Sequence, residues 1–369
     1  MKRRYFLSVD GGGTKLQMIL FDDEFRILGE GRSGGVNLNS TTAEDAKANV
    51  SHCLEQVFSS VKPDHIEKIF YVFVGRDVFL TEALNNLCGV KEAVRISEPE
   101  AGLLAGALWH SGLLALSGTG SDVFLVSGTK PPLRQPPQGR RAIDRMVVGG
   151  WGPILGDDGS GAWIGHRAIR AAIAGLEGWA PPTDILRLIR RDWGIKEDWE
   201  IVELVYRSPY PFRLLGSLTK IVEEAAWGED KVACGIIEEA GHLLAIQTIC
   251  LLNRYHVPPE DHRLVCCGGA WKTHPLMYET FRNEVHKVAP ALFIRRPRFE
   301  PVMVGPVIEM LKTYAAKKPD GTLSADTIAE AAEAEEAEEA EVKEAEVAEA
   351  EARLAELFPK YIIYASTDY

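Results

Sequence analysis

Hydrophobic residues near the N-terminus fall into short runs that are separated by polar turns. Residues 5–9 and 15–21 are mostly aromatic, aliphatic or β-branched and flank a glycine-rich turn, which predicts a two-stranded hairpin. Residues 26–31 predict a third strand. Residues 68–75 form a continuous apolar run that ends in glycine, a pattern typical of a buried strand.

Amphipathic stretches lie between these strands. Residues 41–58 carry apolar side chains at helical spacing, and Thr41 and Glu44 have the spacing of a capping box at the start of that helix. A short strand over residues 93–97 leads directly into a second helix. This alternation of strands and helices predicts an α/β layer, in which helices cover a mixed sheet.

The second half of the chain repeats the hairpin and then becomes largely helical. Residues 113–126 again form an apolar strand, a small-residue turn and an apolar strand. Residues 166–255 have a mostly helical pattern, residues 262–267 predict a strand, and residues 305–317 predict a closing helix. An internal copy of a strand–turn–strand unit indicates that the fold is duplicated.

The first turn has the sequence Asp10-Gly11-Gly12-Gly13-Thr14-Lys15. Three glycines let the backbone turn sharply and bring bare N–H groups close to a ligand. The Asp10 carboxylate can meet a hydrated cation, and the Thr14 hydroxyl can bind an oxyanion, so phosphate with Mg²⁺ suits this loop. Taken alone, the motif is equally compatible with an ordinary glycine-rich hairpin.

The second turn strengthens the phosphate interpretation. Ser117 falls where Asp10 stands in the first copy. Two glycines and one hydroxyl residue of the turns also align: Gly118 with Gly11, Gly120 with Gly13, and Ser121 with Thr14. Two such loops that face each other would grip a polyphosphate from both sides. The sequence contains no Walker-type phosphate loop, so the paired hairpins are the better explanation.

Two further segments each have a functional and a purely structural interpretation. Glu98 and Glu100 open a helix, where the helix dipole alone favours acidic residues, yet they also lie at a strand-to-helix junction where ligands of α/β sheets bind. Residues 149–165 contain seven glycines with Trp151, Trp163 and two aspartates. That segment predicts a loop that binds hydroxyls against a flat aromatic face, and the alternative is a connection packed on its own tryptophans.

The net charge of −12 is concentrated in one segment. Residues 324–356 hold 13 acidic and 2 basic residues, a net charge of −11, so the rest of the chain is close to neutral. The charge therefore gives no support for nucleic-acid binding. The segment is rich in Ala and Glu with hardly any apolar stripe, which predicts a solvated helix or a disordered segment that is dispensable for activity.

Cysteine usage and hydropathy indicate a cytoplasmic protein. The six cysteines show no C-x-x-C spacing and lie mostly in apolar contexts, as buried free thiols do in a reducing compartment. The histidines show no pair at zinc-ligand spacing. The N-terminal apolar run is too short for a signal peptide, and no uninterrupted apolar run reaches the roughly 18 residues of a membrane span.

Taken in order, residues 10–15, 117–121, 149–161 and 267–271 resemble the BadF/BadG/BcrA/BcrD ATPase family, and within it the N-acetylglucosamine kinase branch. The resemblance implies the actin/hexokinase fold, in which two ribonuclease-H-like α/β domains hold ATP in the cleft between them. We accordingly expect a first domain over residues 1–110 and a second, with a helical insertion, over residues 111–323. The acidic segment at 324–356 and a tail at 357–369 lie outside the resemblance.

The resemblance also implies roles for individual residues. ATP phosphates and hydrated Mg²⁺ would be held by Asp10, Gly11, Gly12, Gly13, Thr14, Lys15, Gly118, Thr119, Gly120 and Ser121, with Asp10 facing the metal. Gly268 and Gly269 would flank the adenosine. Asn37, Trp151 and Asp157 would contact the sugar.

The catalytic base is the point of departure from the family. The family usually has an aspartate in an Asn-Asp-x-Glu-Ala-like run, where this chain reads Ser97-Glu98-Pro99-Glu100-Ala101. Glu98 is the better match for the base and Glu100 the runner-up. The carboxylate is retained with one more methylene group.

The resulting hypothesis is an ATP- and Mg²⁺-dependent kinase acting on a small-molecule sugar of the N-acetylglucosamine or glucosamine class. One alternative is an ATPase that activates a partner enzyme, although no cysteine pair is placed for the iron–sulfur cluster of such activators. Another is a non-catalytic sugar or nucleotide sensor. We expect neither nucleic acid nor a membrane as partner, and the sequence leaves a homodimer open.

Overall fold

The computed structural model describes residues 3–38, 40–126, 146–255, 257, 262–315 and 344–364. The proline-rich connection at 130–139 and residues 324–343 of the acidic segment lie outside the described residues. The chain forms two compact units. The first consists of the described residues of Met1–Trp109 and Pro297–Tyr369, and the second is His110–Arg296.

This division differs from the boundaries expected from the sequence. The first unit is discontinuous, because the residues after 296 return to it instead of completing the second unit. Val304 and Val307, which were expected in the second domain, pack in the same core as Phe6 and Phe70. A helix that buries its apolar side on the first sheet belongs to that unit, whatever its place in the sequence.

A five-stranded mixed sheet forms the first unit. Its order is β3-β2-β1-β4-β5, in which β1 pairs antiparallel with β2 and parallel with β4, and β4 pairs parallel with β5. The predicted hairpin and third strand are therefore present. The strands are β1 (Tyr5–Gly11), β2 (Lys15–Asp22), β3 (Ile27–Gly34), β4 (His65–Phe73) and β5 (Gly89–Arg95).

Both faces of this sheet are buried. Successive side chains of a strand point to opposite faces, so Leu7 and Val9 join one hydrophobic cluster whereas Phe6 joins the other. The first cluster packs on α1 (Ala43–Val57) and α2 (Val78–Asn85). The second packs on α3 (Glu98–Ala107), α11 (Val304–Ala315) and α12 (Glu344–Leu357).

The start of α1 corrects the predicted capping box. Thr42, not Thr41, is the N-cap residue, and its side chain accepts a hydrogen bond from the backbone N–H of Asp45. Thr41 is buried instead. Adjacent threonines, each followed three residues later by an acidic residue, made the register ambiguous from the sequence.

The second unit repeats the strand arrangement of the first. Its sheet has the order β10-β9-β6-β7-β8; β6 pairs antiparallel with β7 and parallel with β9, as β1 does with β2 and β4. The predicted duplication of the fold is therefore confirmed at the level of topology. The strands are β6 (Gly112–Ser117), β7 (Ser121–Val126), β8 (Met146–Gly149), β9 (Arg263–Cys267) and β10 (Phe293–Arg295).

Helices make up most of the remaining second unit, as the sequence predicts. They are α4 (Gly161–Leu176), α5 (Ile185–Trp193), α6 (Glu200–Arg207), α7 (Pro211–Ser217), α8 (Thr219–Trp227), α9 (Lys231–Tyr255) and α10 (Pro275–Val288). Within the described ranges, α9 alone has the length and hydropathy to cross a membrane. Ile237, Leu244 and Leu251 of this helix are fully buried in the core of the unit, which is the position of a core helix.

Residues 344–356 of the acidic segment form a helix, as one of the two expectations had it, but this helix docks on the core of the first unit, so the expectation of full solvation or disorder is wrong for these residues. Ala350 and Leu354 of α12 are fully buried together with Phe358. The acidic residues between these positions masked the apolar stripe in the sequence. The apolar tail also returns to this unit, where Tyr361 is buried.

Replacing Leu354 with alanine tests this packing. We expect Leu354→Ala to lower the free energy of unfolding of the full chain by about 2–5 kcal/mol, because a buried leucine is removed and a cavity remains. Glu356→Ala is the control, since its side chain is 69% exposed and surface substitutions usually change stability by less than about 0.5 kcal/mol. Equal effects of the two substitutions in chemical denaturation would contradict the docking of α12.

Candidate functional site

The first glycine-rich turn is pinned by the segment that follows β3. The backbone N–H of Gly12 donates to the Lys15 carbonyl at 2.9 Å, and the N–H of Val36 donates to the Gly12 carbonyl at 2.9 Å. A Cβ atom on Gly35 would lie 2.2 Å from the Gly13 carbonyl oxygen. Only glycine at position 35 allows this approach, so the loop conformation is set by a residue outside the motif.

Asp10, Lys15 and two further polar side chains form a charged cluster beside this turn. The Lys15 ammonium donates to Gln17 Oε1 at 2.8 Å. It lies 3.5 Å from Asp10 Oδ2 and 3.6 Å from Glu300 Oε2. Burial raises the pKa of the Asp10 carboxyl above its ordinary value and Glu300 adds to this, whereas Lys15 opposes it. The cluster thus holds two carboxylates around one ammonium group.

Glu300 is a site residue that the sequence analysis missed. It lies immediately before a 3-10 turn (Pro301–Met303) that leads into α11. The sequence indicates only that a glutamate and a proline precede a helix. Its proximity to Lys15 arises because α11 returns to the first sheet, where the Ser8 hydroxyl donates to the Val302 carbonyl at 2.6 Å.

Asn37 lies next to the same turn. Its backbone N–H donates to the Gly12 carbonyl at 3.3 Å, and its carbonyl accepts from the Ser40 N–H at 2.9 Å. The Ser40 hydroxyl donates to the Gly13 carbonyl at 2.9 Å. Thr14 is exposed at the tip of the hairpin. The structure thus brings Asn37 together with the residues predicted to hold the phosphates.

The two glutamates of α3 have different environments. Ser97 is the N-cap residue of this helix, and Glu100 completes a capping box by accepting hydrogen bonds from the backbone N–H and the hydroxyl of Ser97. Glu98 takes no part in that box and is half-buried at the first helical position. Helix capping therefore explains Glu100, and it does not explain Glu98.

The parallel strands bring Asp10 and Glu98 to one edge of the first sheet. β1, β4 and β5 run in the same direction. Asp10 lies at the carboxyl end of β1, and Glu98 follows the carboxyl end of β5. In open α/β sheets, ligands bind outside the carboxyl ends of the strands.

The second hairpin contacts the glycine-rich segment that precedes α4. The Ser117 hydroxyl donates to the Gly159 carbonyl at 2.8 Å, and the Ser121 hydroxyl donates to the Asp158 carbonyl at 2.9 Å. In return, the N–H of Gly161 donates to the Gly118 carbonyl at 2.8 Å. The predicted second phosphate loop and the predicted sugar loop therefore form one structure in this unit.

Asp157 links these two loops through its side chain. It is buried and accepts hydrogen bonds from the backbone N–H groups of Gly152, at 2.9 Å, and of Ser121. Burial raises the pKa of its carboxyl, and the two N–H groups oppose that rise. This gives Asp157 a role in holding the loop of Trp151 against the second hairpin, in addition to the sugar contact that the resemblance implies.

Trp151 is available at the surface of the second unit. Trp151 is 55% exposed, and Ile154 and Leu155 in the same loop are 80% and 77% exposed. Trp163, in contrast, packs partly against the core. The loop is thus not packed on both of its tryptophans, and Trp151 can offer the flat apolar face predicted for it.

Gly268 and Gly269 lie beside the second hairpin. β6 and β9 are parallel neighbours, with Leu116 opposite Cys267. A Cβ atom on Gly268 would lie 2.1 Å from the Ser117 carbonyl oxygen, and its φ of +113° also favours glycine. The predicted adenosine-binding glycines and the predicted phosphate loop are therefore adjacent.

The described residues contain no group of three or more His, Cys, Asp or Glu side chains that could hold a metal ion. The Asp10 carboxylate nevertheless fits a hydrated Mg²⁺, which usually keeps several waters and binds through one or two carboxylates with the substrate phosphates. The first unit thus offers oxygen ligands of the kind that Mg²⁺ prefers without a dedicated protein cage.

A pair of alanine substitutions tests the close approach at Gly268. We expect Gly268→Ala to destabilise the protein by about 1–3 kcal/mol, because the new Cβ clashes with Ser117 and the backbone conformation is strained. Gly269→Ala is the matched control for stability. Its φ and ψ of −70° and −30° suit alanine, and no heavy atom lies within 4 Å of the added Cβ. Equal midpoints of thermal unfolding for the two variants would contradict the geometry.

Comparison with solved structures identifies the fold. A protein from Porphyromonas gingivalis, described provisionally as an N-acetylglucosamine kinase, matches with a TM-score of 0.61 and 19% identity over 83% of this chain and 98% of that one. A similarly described protein from Chromobacterium violaceum matches with a TM-score of 0.57 and 20% identity over the same shares. These likenesses confirm the predicted class, an α/β protein with two units of the actin/hexokinase type.

Sequence comparison identifies relatives of nearly full length. The chain is 25% identical over 293 residues to an N-acetylmuramic acid/N-acetylglucosamine kinase of Clostridium acetobutylicum, covering 76% of this chain and 90% of the relative. It is 22% identical to an N-acetyl-D-glucosamine kinase of Dictyostelium discoideum, covering 82% of this chain and 97% of the relative. These matches support the predicted sugar-kinase branch. The sequence profile of the BadF/BadG/BcrA/BcrD ATPase family matches residues 7–303, and the chain belongs to that family.

Proposed function

We propose that this protein transfers the γ-phosphoryl group of ATP to a hydroxyl of an amino sugar of the N-acetylglucosamine or glucosamine class. Family membership and the amino-sugar kinases among its relatives support this substrate class. The relatives also include a glucosamine kinase of Vibrio cholerae, of which the chain covers 60%. The structural observation that carries the proposal is the pair of equivalent hairpins, one of which holds Asp10 beside Lys15.

Each hairpin has a distinct part in binding the nucleotide. In the first unit, the turn at residues 11–15 offers backbone N–H groups and the Lys15 ammonium to the phosphates, and Asp10 orients the hydrated metal. Bound Mg²⁺ would neutralise charge on the phosphate oxygens. In the second unit, residues 118–121 bind the phosphates, and Gly268 and Gly269 accept the adenosine.

Glu98 acts as the general base of the proposed reaction. It accepts the proton of the sugar hydroxyl as that hydroxyl attacks the γ-phosphorus, and the bond from the γ-phosphorus to the bridging oxygen breaks to release ADP. Its half-buried position at the edge where Asp10 lies supports this role. The engagement of Glu100 in helix capping supports Glu98 as the choice between the two glutamates.

The sugar contacts are proposed for Asn37, Trp151 and Asp157. Trp151 offers an exposed apolar surface to the face of the pyranose ring. Asn37 supplies an amide next to the first turn. Asp157 orders the loop that carries Trp151 and keeps acceptor capacity for a hydroxyl, since an ionised carboxylate has about four lone-pair positions.

The cysteines of β9 are poor candidates for the cluster of an ATPase activator. Cys266 and Cys267 are both buried in the second unit. As successive residues of one strand they point to opposite faces of the sheet, whereas the cysteine ligands of a cluster must converge on it. This environment favours the kinase over the activator.

A panel of sugars tests the function directly. We expect Mg²⁺-dependent release of ADP with N-acetylglucosamine or glucosamine and little with neutral hexoses that lack the 2-amino group.

Asp10→Asn should remove nearly all of the ADP release, because it loses the charge that orients the metal. Asp64→Asn, at an exposed position before β4, should retain it. An active Asp10→Asn enzyme at saturating Mg²⁺ would contradict the role of the first turn.

The base is tested by a matched pair of glutamine substitutions. We expect Glu98→Gln to lower the rate of phosphoryl transfer by about 10²–10⁴-fold while ATP still binds, because the phosphate loops are untouched. Glu100→Gln should retain activity and lose only about 0.3–1 kcal/mol of stability as a helix-terminal charge. If Glu100→Gln is inactive and Glu98→Gln is active, Glu100 is the general base and Glu98 is not. If both variants keep full activity, Asp157 becomes the next acid to test.

A further inference from the structure

We infer that the C-terminal residues 358–364 hold Glu300 in place beside Lys15. From this position Glu300 shares the Lys15 ammonium with Asp10 and acts as a positioning residue for the nucleotide loop. The inference rests on the proposed function. These C-terminal residues lie beyond residues 7–303, which the family profile matches. The inference gives a role in the reaction to a segment that the family resemblance does not cover.

The tail pairs with the backbone at Glu300. The N–H of Glu300 donates to the Tyr361 carbonyl at 3.0 Å, and the N–H of Ile363 donates to the Arg298 carbonyl at 2.9 Å. Between these two hydrogen bonds, Phe299 and Ile362 form an antiparallel bridge. The tail therefore binds the three residues that end at Glu300 in the way that a neighbouring strand would.

Side chains anchor the tail to the rest of the first unit. The Tyr361 hydroxyl and the Lys360 ammonium both bind the Glu30 carboxylate on β3. The Arg298 guanidinium donates to the Tyr364 carbonyl at 2.6 Å. Phe358 is fully buried in the core beneath these contacts. The position of the Tyr361 carbonyl is thus determined by several independent contacts.

The opposite side of the same segment rests on α3. The N–H groups of Arg298 and Phe299 donate to the carbonyls of Gly106 and Ala105, at 2.8 and 3.1 Å. These carbonyls belong to the last turn of the helix that begins with Glu98. Glu300 is consequently held between the helix of the proposed base and the tail.

Electrostatics explains why this position matters. Two carboxylates share one ammonium, so the positive charge of Lys15 is divided between Asp10 and Glu300. If Glu300 loses its charge or moves away, Lys15 pairs with Asp10 and reduces the negative charge available to a hydrated cation. The expected consequence is a weaker response to Mg²⁺, with the fold preserved.

Two substitutions at Ile363 separate the backbone bridge from side-chain packing. Ile363→Pro removes the N–H that binds Arg298, and the extended conformation of Ile362 (φ −73°, ψ 126°) is compatible with a following proline. Ile363→Ala removes most of the side chain and keeps that N–H. Any difference between the two variants therefore reports the bridge.

Three measurements on the full-length protein test the inference. In Ile363→Pro, we expect faster amide hydrogen exchange at Glu300, a several-fold weaker calorimetric affinity for Mg²⁺–ATP, and a several-fold higher Mg²⁺ concentration for half-maximal turnover. Ile363→Ala should resemble the native protein. Glu300→Gln should reproduce both Mg²⁺ effects without the change in exchange, and the Ile363→Pro/Glu300→Gln double variant should add nothing to the single variants.

Several results would overturn the inference. One is an Ile363→Pro protein whose Mg²⁺–ATP affinity and Mg²⁺ dependence equal those of Ile363→Ala despite faster exchange at Glu300. Another is a Glu300→Gln protein with native Mg²⁺ dependence, a test that stands even if the proline variant does not fold. Failure of the proposed function would appear separately, as absence of ADP release from the native protein, while amide exchange and calorimetry still report on the tail.

Discussion

Each unit is organised by the backbone hydrogen bonds of one central strand. β1 pairs with its hairpin partner on one side and with parallel β4 on the other, and β6 does the same with β7 and β9. The hairpin turn and the end of the parallel neighbour are thereby forced to the same edge of the sheet. A side chain at a close backbone contact on this edge would push the strands apart. Position 268 is glycine because a Cβ there would clash with the Ser117 carbonyl oxygen.

The same constraint concentrates polar groups at the edge of each unit. In the first unit it brings Asp10 and Lys15 together at the hairpin, and the return of α11 to this sheet adds Glu300, so that both carboxylates lie within 4 Å of the Lys15 ammonium. In the second unit, the hydroxyls of Ser117 and Ser121 are used to bind the loop before α4. The two hairpins have equivalent backbones and different chemistry. The first carries the charge, and the second orders the loop of Trp151.

The C-terminal segment changes how the first unit is understood. Its acidic composition suggests an appendage, yet α12 buries Leu354 and the tail binds the backbone at Glu300. A helix of alanine and glutamate needs few apolar residues to dock when those residues lie on one face. The core of this unit is consequently completed by residues from the far end of the chain.

The sequence by itself determined the repeated hairpins, the α/β class and the resemblance to an ATPase family, because hydrophobic periodicity and glycine turns are local properties. It also named Glu98 as the better match for the base and Glu100 as the runner-up, although helix-terminal charge could explain either residue. Only the tertiary structure decided that Glu100 caps α3, that Glu300 lies beside Lys15, and that residues after 296 return to the first unit. These facts depend on contacts between residues far apart in the chain, and no local pattern encodes which distant surface a helix or tail will cover.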